Sequence, residues 1–171
     1  MSAETAWQGR FLTVKLDGKW EYVARARGIR AAVILAIDDG HVILVEQYRV
    51  PLGCNCLELP AGLVGDETAG ESVELAAARE LEEETGYRAD RIEPLGFFHS
   101  SPGMVSEGFT LVRAHGLTQV GEGGGDGDEN IVVHRVPLAT LPDFIDAKRA
   151  AGVAMDVKLL LLLGPALISP A

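Results

Sequence analysis

The run from Gly65 to Tyr87, GDETAGESVELAAARELEEETGY, limits what this chain can be more than any other stretch. Val73, Ala77 and Leu81, flanked by Ala78 and Thr85, recur at three- and four-residue spacing, which predicts a helix from about Ser72 to Thr85. Ser72 suits the N-cap, and Gly86 suits the left-handed position just past the end. Glu80, Glu83 and Glu84 then share one face near the C-terminal end. Like charges repel at that spacing, and the negative pole of the helix dipole adds to the cost. A helix that needed only solubility would do better with lysines. Two readings remain: a solvated acidic face, or a seat for a divalent cation, for which clustered carboxylate oxygens suit Mg²⁺ or Mn²⁺ rather than zinc.

A length of 171 residues, 47% of them hydrophobic and 23% charged, suits one globular domain with a sizeable core. A net charge of −10 with no basic stripe argues against nucleic acid or an anionic membrane as partner. Small phosphorylated ligands stay open, because bound metal can offset their charge. Cys54 and Cys56 are too close in sequence to bridge readily and read as reduced thiols of a cytoplasmic protein. The opening MSAETAWQGR lacks the apolar core of a signal peptide, and the apolar run Leu159 to Leu163 is too short to span a bilayer. That run reads as the buried face of a terminal helix.

Before the acidic helix, Gly9 to Leu16 and Lys19 to Arg25 read as two strands of a hairpin turned by Asp17-Gly18, forming an N-terminal extension over residues 1–28. It serves either as a dimer contact or as a hairpin packed on its own domain. Residues 29–171 form the main domain. Ala31 to Ile37 and His41 to Tyr48, joined at Asp38-Asp39-Gly40, read as central antiparallel strands buried on both faces. Arg49 follows directly, either as a surface residue or as a fork for phosphate oxygens. In Glu58-Leu59-Pro60-Ala61-Gly62 the Pro and Gly predict irregular backbone with a free carbonyl. Strands are expected over Arg91 to Phe98 and Glu107 to Ala114, with a turn at Ser100 to Gly103. Gly121 to Asn130, GEGGGDGDEN, reads either as a solvated linker or as a mobile loop that delivers a carboxylate, with Glu129 best placed. Asp126, Asp128 and Asn130 begin like a calcium loop, but Ile131 and Pro137 at its sixth and twelfth positions exclude one. Two helices are expected from Ala139 on, separated near Gly152. His41, His99, His115 and His134 show no catalytic spacing, though His99 lies beside the Pro102 turn.

The spacing of Gly65, Glu71, Arg79-Glu80-Leu81, Glu83-Glu84 and Gly86-Tyr87 resembles the Nudix box, the signature of hydrolases that cleave a nucleoside diphosphate linked to another group. Gly65 fills the first box position, or else Gly62 does and three residues are inserted. The resemblance implies an α/β fold, a mixed β-sheet between helices with the box helix packed on it. Val45 to Arg49 leading to Glu58 to Gly62, and Ser101-Pro102-Gly103 with Glu107, resemble the ADP-ribose pyrophosphatase branch; Pro102 stands sixteen residues after Gly86. This implies Mg²⁺-dependent hydrolysis of ADP-ribose to AMP and ribose 5-phosphate by a homodimer. By resemblance Glu80 and Glu84 are the main metal ligands, Ala61 adds its carbonyl, and Glu83 shares metal or orients water. Arg79 and Glu71 brace loop and helix, and Arg49 holds phosphate. Pro102 goes with ADP-ribose as substrate, Glu129 is the general base, and Glu107 is second candidate for base or substrate contact. Trp20, Tyr22, Arg25 and Arg27 are available for the base, and no spacing picks one. The alternatives are the same chemistry on an ADP- or GDP-hexose, or a ligand sensor on the same fold, which would typically have lost box carboxylates that this chain keeps.

Overall fold

The computed structural model describes residues 3–26, 29–65, 70–126 and 129–168. The N-terminal extension is a three-stranded antiparallel sheet of β1 (Glu4–Gln8), β2 (Leu12–Asp17) and β3 (Trp20–Arg25). The expected hairpin is there, turning at Gly18 with φ 60° and pairing Asp17 with Trp20. Its first strand begins only at Leu12, because Gly9 donates to the Leu12 carbonyl at 2.8 Å and reverses the chain. The preceding strand β1 was not predicted: all five of its residues are exposed, so it shows no alternation to read. β3 docks on the turn that follows residue 101, with Val23 donating to Met104 O at 3.0 Å and Ser106 donating to Val23 O at 2.9 Å. The expected boundary at residue 28, and Arg27 with it, lie outside the described residues, as does Asp128.

The main sheet begins with β4 (Arg30–Asp38) and β5 (His41–Arg49), joined by a turn with Asp39 and Gly40 at positive φ. The two pair antiparallel only beside that turn, at Ile37/Val42 and Asp38/His41. They then part. β5 takes β6 (Cys54–Glu58) as its antiparallel neighbour, and β4 takes β7 (Ala61–Val64). Helix α1 (Val73–Thr85) follows, then the long strands β8 (Tyr87–His99) and β9 (Gly108–Gln119), with β9 parallel to β4. β10 (Val132–Pro137) pairs with β5. After α2 (Leu141–Ala150), β11 (Ala154–Met155) adds parallel to β6, and α3 (Leu160–Ile168) ends the described chain.

Alternation along β4 and β5 sorts the core into two layers. Ala32, Ile34, Ala36 and Ile43 pack with Ala77 and Leu81 of α1. Val33, Val42 and Leu44 face the other way, onto Leu141 and Ile145 of α2 and onto Leu159 and Leu163. The result is the expected α/β arrangement, a mixed sheet between helices, with both central strands buried on both faces. Leu160 and Leu161 are exposed, so the apolar run buries only part of its length. Buried Glu46 accepts from Lys148 at 2.6 Å, His134 at 3.0 Å and Asn55 at 3.1 Å, which ties α2 to the sheet.

Helix α1 starts and stops as its sequence predicts. Ser72 accepts from the Leu75 N–H at 3.3 Å, and Gly86 sits at φ 73° with its N–H on the Glu82 carbonyl. The start of the glycine-rich stretch after β9 is bonded to the helix end, where a solvated linker was one of the two expectations. Val120 and Gly121 donate to Gly86 O, Gly125 donates to Glu83 O at 3.0 Å, and Gly124 donates to Glu84 O at 2.9 Å. This stretch therefore caps the carbonyls that α1 leaves unpaired. The approach is backbone against backbone, and a Cβ on Gly123, itself at φ 70°, would run into the Glu84 and Thr85 main chain. Gly123→Ala is expected to destabilise the chain by about 2 kcal/mol or more through strain and overpacking. Urea denaturation followed by circular dichroism checks this, with Gly103→Ala as control, where an added Cβ meets open space.

Candidate active site

A cleft of about 550 Å³ opens where β4 and β5 have parted, lined by Ala31 and Val33 of one strand and Gln47 and Arg49 of the other. Helix α1 supplies Glu80 and Glu84, one turn apart, and β7 lies against them. Register explains this contact. Ile34 donates to Pro60 O, so Ile34/Pro60 and Ala32/Gly62 are hydrogen-bonded pairs while Val33/Ala61 is not. The Ala61 N–H and C=O both point away from β4, and the N–H donates to Glu84 Oε2 at 3.0 Å. The carbonyl expected to be free is thus turned toward the carboxylates by a regular strand, not by the irregular backbone inferred from Pro60 and Gly62. Gly62 has its own constraint, since a Cβ there would occupy the space of the Glu80 carboxylate.

Glu84 is only 5% exposed. Burial pushes its carboxyl up to about 8, and the negative charges of Glu80 and Glu129 add to the rise against the Ala61 hydrogen bond. Arg79 crosses the base of this group, 2.9 Å from Glu83, 3.1 Å from Glu80 and 3.5 Å from Glu71. Burial opposes its charge, but Glu80, Glu71 and Glu83 outweigh that and hold its pKa above the ordinary arginine range. Glu71 also accepts from Gly65 N, so this set braces the start of the helix to its middle, as expected. Among the described residues, no three His, Cys, Asp or Glu side chains stand converged as a metal cluster. The donor set nevertheless fits a hard divalent cation: a buried carboxylate whose charge is opposed on three sides by burial, Glu80 and Glu129, with a backbone carbonyl turned toward it.

The other wall is basic, and its cations are held in place. Arg49 grips Glu58 with both arms of its fork, Nε at 2.6 Å and a terminal nitrogen at 2.8 Å, and this holds the guanidinium more firmly charged. Arg25, at the end of β3, meets Glu107 at 2.6 Å. Lys158 reaches in from the C-terminal segment with its ammonium 2.8 Å from Asp156. Glu129 lines the cleft too, its carboxylate accepting from the Asp126 N–H at 3.1 Å.

The structure thus brings together Ala61, Glu80, Glu84, Arg49, Glu107 and Glu129 in one cleft. Glu83 lies beside the group but turns to Arg79. Pro102 lies elsewhere: with Trp20, Tyr22 and Val105 it lines a separate hollow of about 370 Å³ between β3 and the turn after residue 101. His99 packs edge-on against Phe97 and does not line the cleft. Sequence reasoning gave no cleft role to Glu58 or Lys158 and left Arg25 among four candidates for the base. Arg25 has no local signal, since its place depends on how the N-terminal sheet docks. Lys158 had one, as the only basic residue in 150–171, two positions after Asp156. Cys54 and Cys56 are free thiols, and burial pushes Cys56 up to about 12. Among the described residues, no helix is long and apolar enough to cross a membrane.

The family model described as the NUDIX domain matches residues 26–155. The chain is 38% identical over 159 residues to the methanol dehydrogenase activator of Bacillus methanolicus, covering 87% of this chain and 83% of that protein. It is 36% identical over 118 residues to the ADP-ribose pyrophosphatase of Bacillus subtilis, covering 68% of this chain and 62% of that protein. Among solved structures, an ADP compounds hydrolase superposes with a TM-score of 0.69 at 27% identity, covering 98% of this chain and 92% of that one.

The raised Glu84 carboxyl gives stability a pH dependence with a definite sign. The folded chain binds this proton more tightly than the unfolded chain, so with divalent cations removed its contribution is lost as pH rises from about 4.5 to about 8. In EDTA, Tm is expected to fall over that window, and Glu84→Gln to remove much of the slope. Added Mg²⁺ should raise Tm by about 5 °C or more at pH 8 and by less at pH 5. Differential scanning calorimetry at the two pH values checks this, and an equal Mg²⁺ effect at both would refute it.

Proposed function

The chain belongs to the NUDIX family of hydrolases, and on that premise we propose that it cleaves the diphosphate of ADP-ribose to AMP and ribose 5-phosphate with Mg²⁺ bound at Glu80, Glu84 and the Ala61 carbonyl. The observation that carries the proposal is the buried Glu84 facing Glu80, Glu129 and the turned carbonyl of Ala61, beside a basic wall that suits a diphosphate. The similarity to an ADP-ribose pyrophosphatase and to an ADP compounds hydrolase supports the choice of substrate.

A diphosphate resists water because its charge repels nucleophiles; bound Mg²⁺ offsets that charge and acidifies water, and Mn²⁺ could take its place. The protein's part is positioning. Arg49, immobilised by Glu58, presents its remaining N–H groups to phosphate oxygens. Glu129 stands at the cleft as general base, taking the proton from the attacking water, with Glu107 as the second candidate. Glu83 positions Glu80 through Arg79, which both carboxylates share. We assign Pro102 to the substrate's far end, in the hollow with Trp20 and Tyr22. Exposed Trp7, Phe11 and Trp20 on the N-terminal sheet support a homodimer contact there, and the free thiols a cytoplasmic setting. The name of the Bacillus methanolicus relative favours one second reading, a dinucleotide as substrate, because dehydrogenase cofactors carry a diphosphate at their centre.

Mass spectrometry of products from ADP-ribose, ADP-glucose, GDP-mannose and NADH in Mg²⁺ tests these readings. Release of AMP and ribose 5-phosphate fastest from ADP-ribose is expected; fastest turnover of NADH or a hexose nucleotide would replace the substrate and keep the chemistry. Glu84→Gln should lower metal-dependent turnover at least about a hundredfold with the fold intact. Glu129→Gln should lower turnover by about 10²-fold or more with Mg²⁺ affinity kept, and an unchanged rate would move the base to Glu107.

A further inference from the structure

Five carboxylates and three cations line the cleft, and the cations are not equivalent. Arg25 and Arg49 are each bonded to a carboxylate that lines the same cleft, Glu107 and Glu58, so each is offset within the wall it belongs to. Lys158 differs: its partner Asp156 does not line the cleft. Its charge is therefore the one that the cleft wall does not itself cancel.

The side chain is also held for a task. Asp156 accepts the Lys158 main-chain N–H at 2.8 Å through one oxygen and the ammonium at 2.8 Å through the other, while its own N–H donates to Leu57 O at 3.0 Å. The next residue, Leu159, is buried in the core. Only 18% of the Lys158 side chain is exposed, and its nitrogen lies 5.6 Å from the centroid of Phe109, another cleft residue. An ammonium has three donors, and Asp156 is the one acceptor found for them among the described residues. Locking this turn needs only the Asp156 cap on the Lys158 main-chain N–H and does not call for an ammonium in the cleft.

We propose that Lys158 binds substrate, its ammonium holding a non-bridging oxygen of the diphosphate. This rests on the reading that the substrate is a nucleoside diphosphate compound. Lys158 lies beyond residue 155, where the family match ends, so it is a feature of this chain's C-terminal segment.

The test uses the full chain in Mg²⁺ with Lys158→Gln, Lys158→Arg and Asp156→Asn, first checked for unchanged circular dichroism. Inorganic diphosphate is titrated calorimetrically, and kcat and KM are measured on ADP-ribose. Lys158→Gln is expected to weaken diphosphate binding and raise KM by about tenfold or more, with kcat within about twofold. Lys158→Arg should keep most of the affinity. Asp156→Asn should keep or tighten it, because Asn still caps the turn and the ammonium loses its counter-charge. A purely structural pair predicts instead that Asp156→Asn weakens binding as much as Lys158→Gln, which would overturn the proposal. Diphosphate affinity unchanged in Lys158→Gln, or no binding to the parent chain, would overturn it as well. Lysine-dependent diphosphate binding without turnover of any nucleoside diphosphate compound would refute the enzymatic reading and leave Lys158 as an anion site.

Discussion

The carbonyls of Glu82, Glu83 and Glu84 at the end of α1 are taken by the N–H groups of Gly86, Gly125 and Gly124, and the cleft hangs from this clamp. Without it the helix would end with unpaired carbonyls at its negative pole, beside three consecutive carboxylates and with no basic residue in its last turn. Magnitudes show why the arrangement holds. The like-charge pairs Glu80/Glu83 and Glu80/Glu84 cost about 0.2–0.5 kcal/mol each, whereas each satisfied carbonyl contributes about 1 kcal/mol. Arg79 adds attraction to Glu80 and Glu83, and exposed Glu82 turns outward to Arg88. Burial of Glu84 is the cost left over, and it falls at the position where a divalent cation would relieve it.

The same clamp sets the second carboxylate of the cleft. Gly124 is held to Glu84 and accepts from Ile131, so the segment carrying Glu129 is fastened at both ends to elements already in place. A carboxylate on a tethered loop and one on a helix are thereby kept in fixed relation, which proton transfer and charge stabilisation both need. On the opposite wall the fixing is ionic. The Arg49 fork on Glu58 keeps its charge, has part of its field offset by that carboxylate and gains a single orientation, which suits a group that must meet a planar arrangement of oxygens.

Where the sequence was readable, the signal was local. The Ser72 cap, the Val73, Ala77 and Leu81 stripe and Gly86 all lie within one helix, and the apolar runs of β4 and β5 state their burial directly. What could not be read depends on contacts between distant segments. The glycines at 121–125 look like a linker because composition does not show that they press on another main chain. Ala61 looks irregular because Pro60 and Gly62 flank it, yet pairing with β4 makes it a strand and aims its carbonyl. Pro102 stands at a legible distance from the box, but only the fold shows that it lines a second hollow with Trp20 and Tyr22. Arg25 and Lys158 are unremarkable residues at opposite ends of the chain until the cleft collects them.

Arg25 shows how far that collection reaches. Among the described residues, the N-terminal sheet bonds to the rest of the chain through the Val23 main chain and the Arg25–Glu107 pair, while Trp7, Phe11 and Trp20 stay exposed. Glu107 lines a cleft that already holds Glu58, Glu80, Glu84 and Glu129. Were β3 to lift away, Glu107 would lose its partner in a cleft that already holds four other carboxylates, with like charge left to act on it. The pair therefore works in two directions: it holds the extension onto the domain, and it keeps a fifth carboxylate from adding its full charge to the site. Anything that steadies the extension, a second copy of the chain included, acts on the electrostatics of the cleft through this one contact.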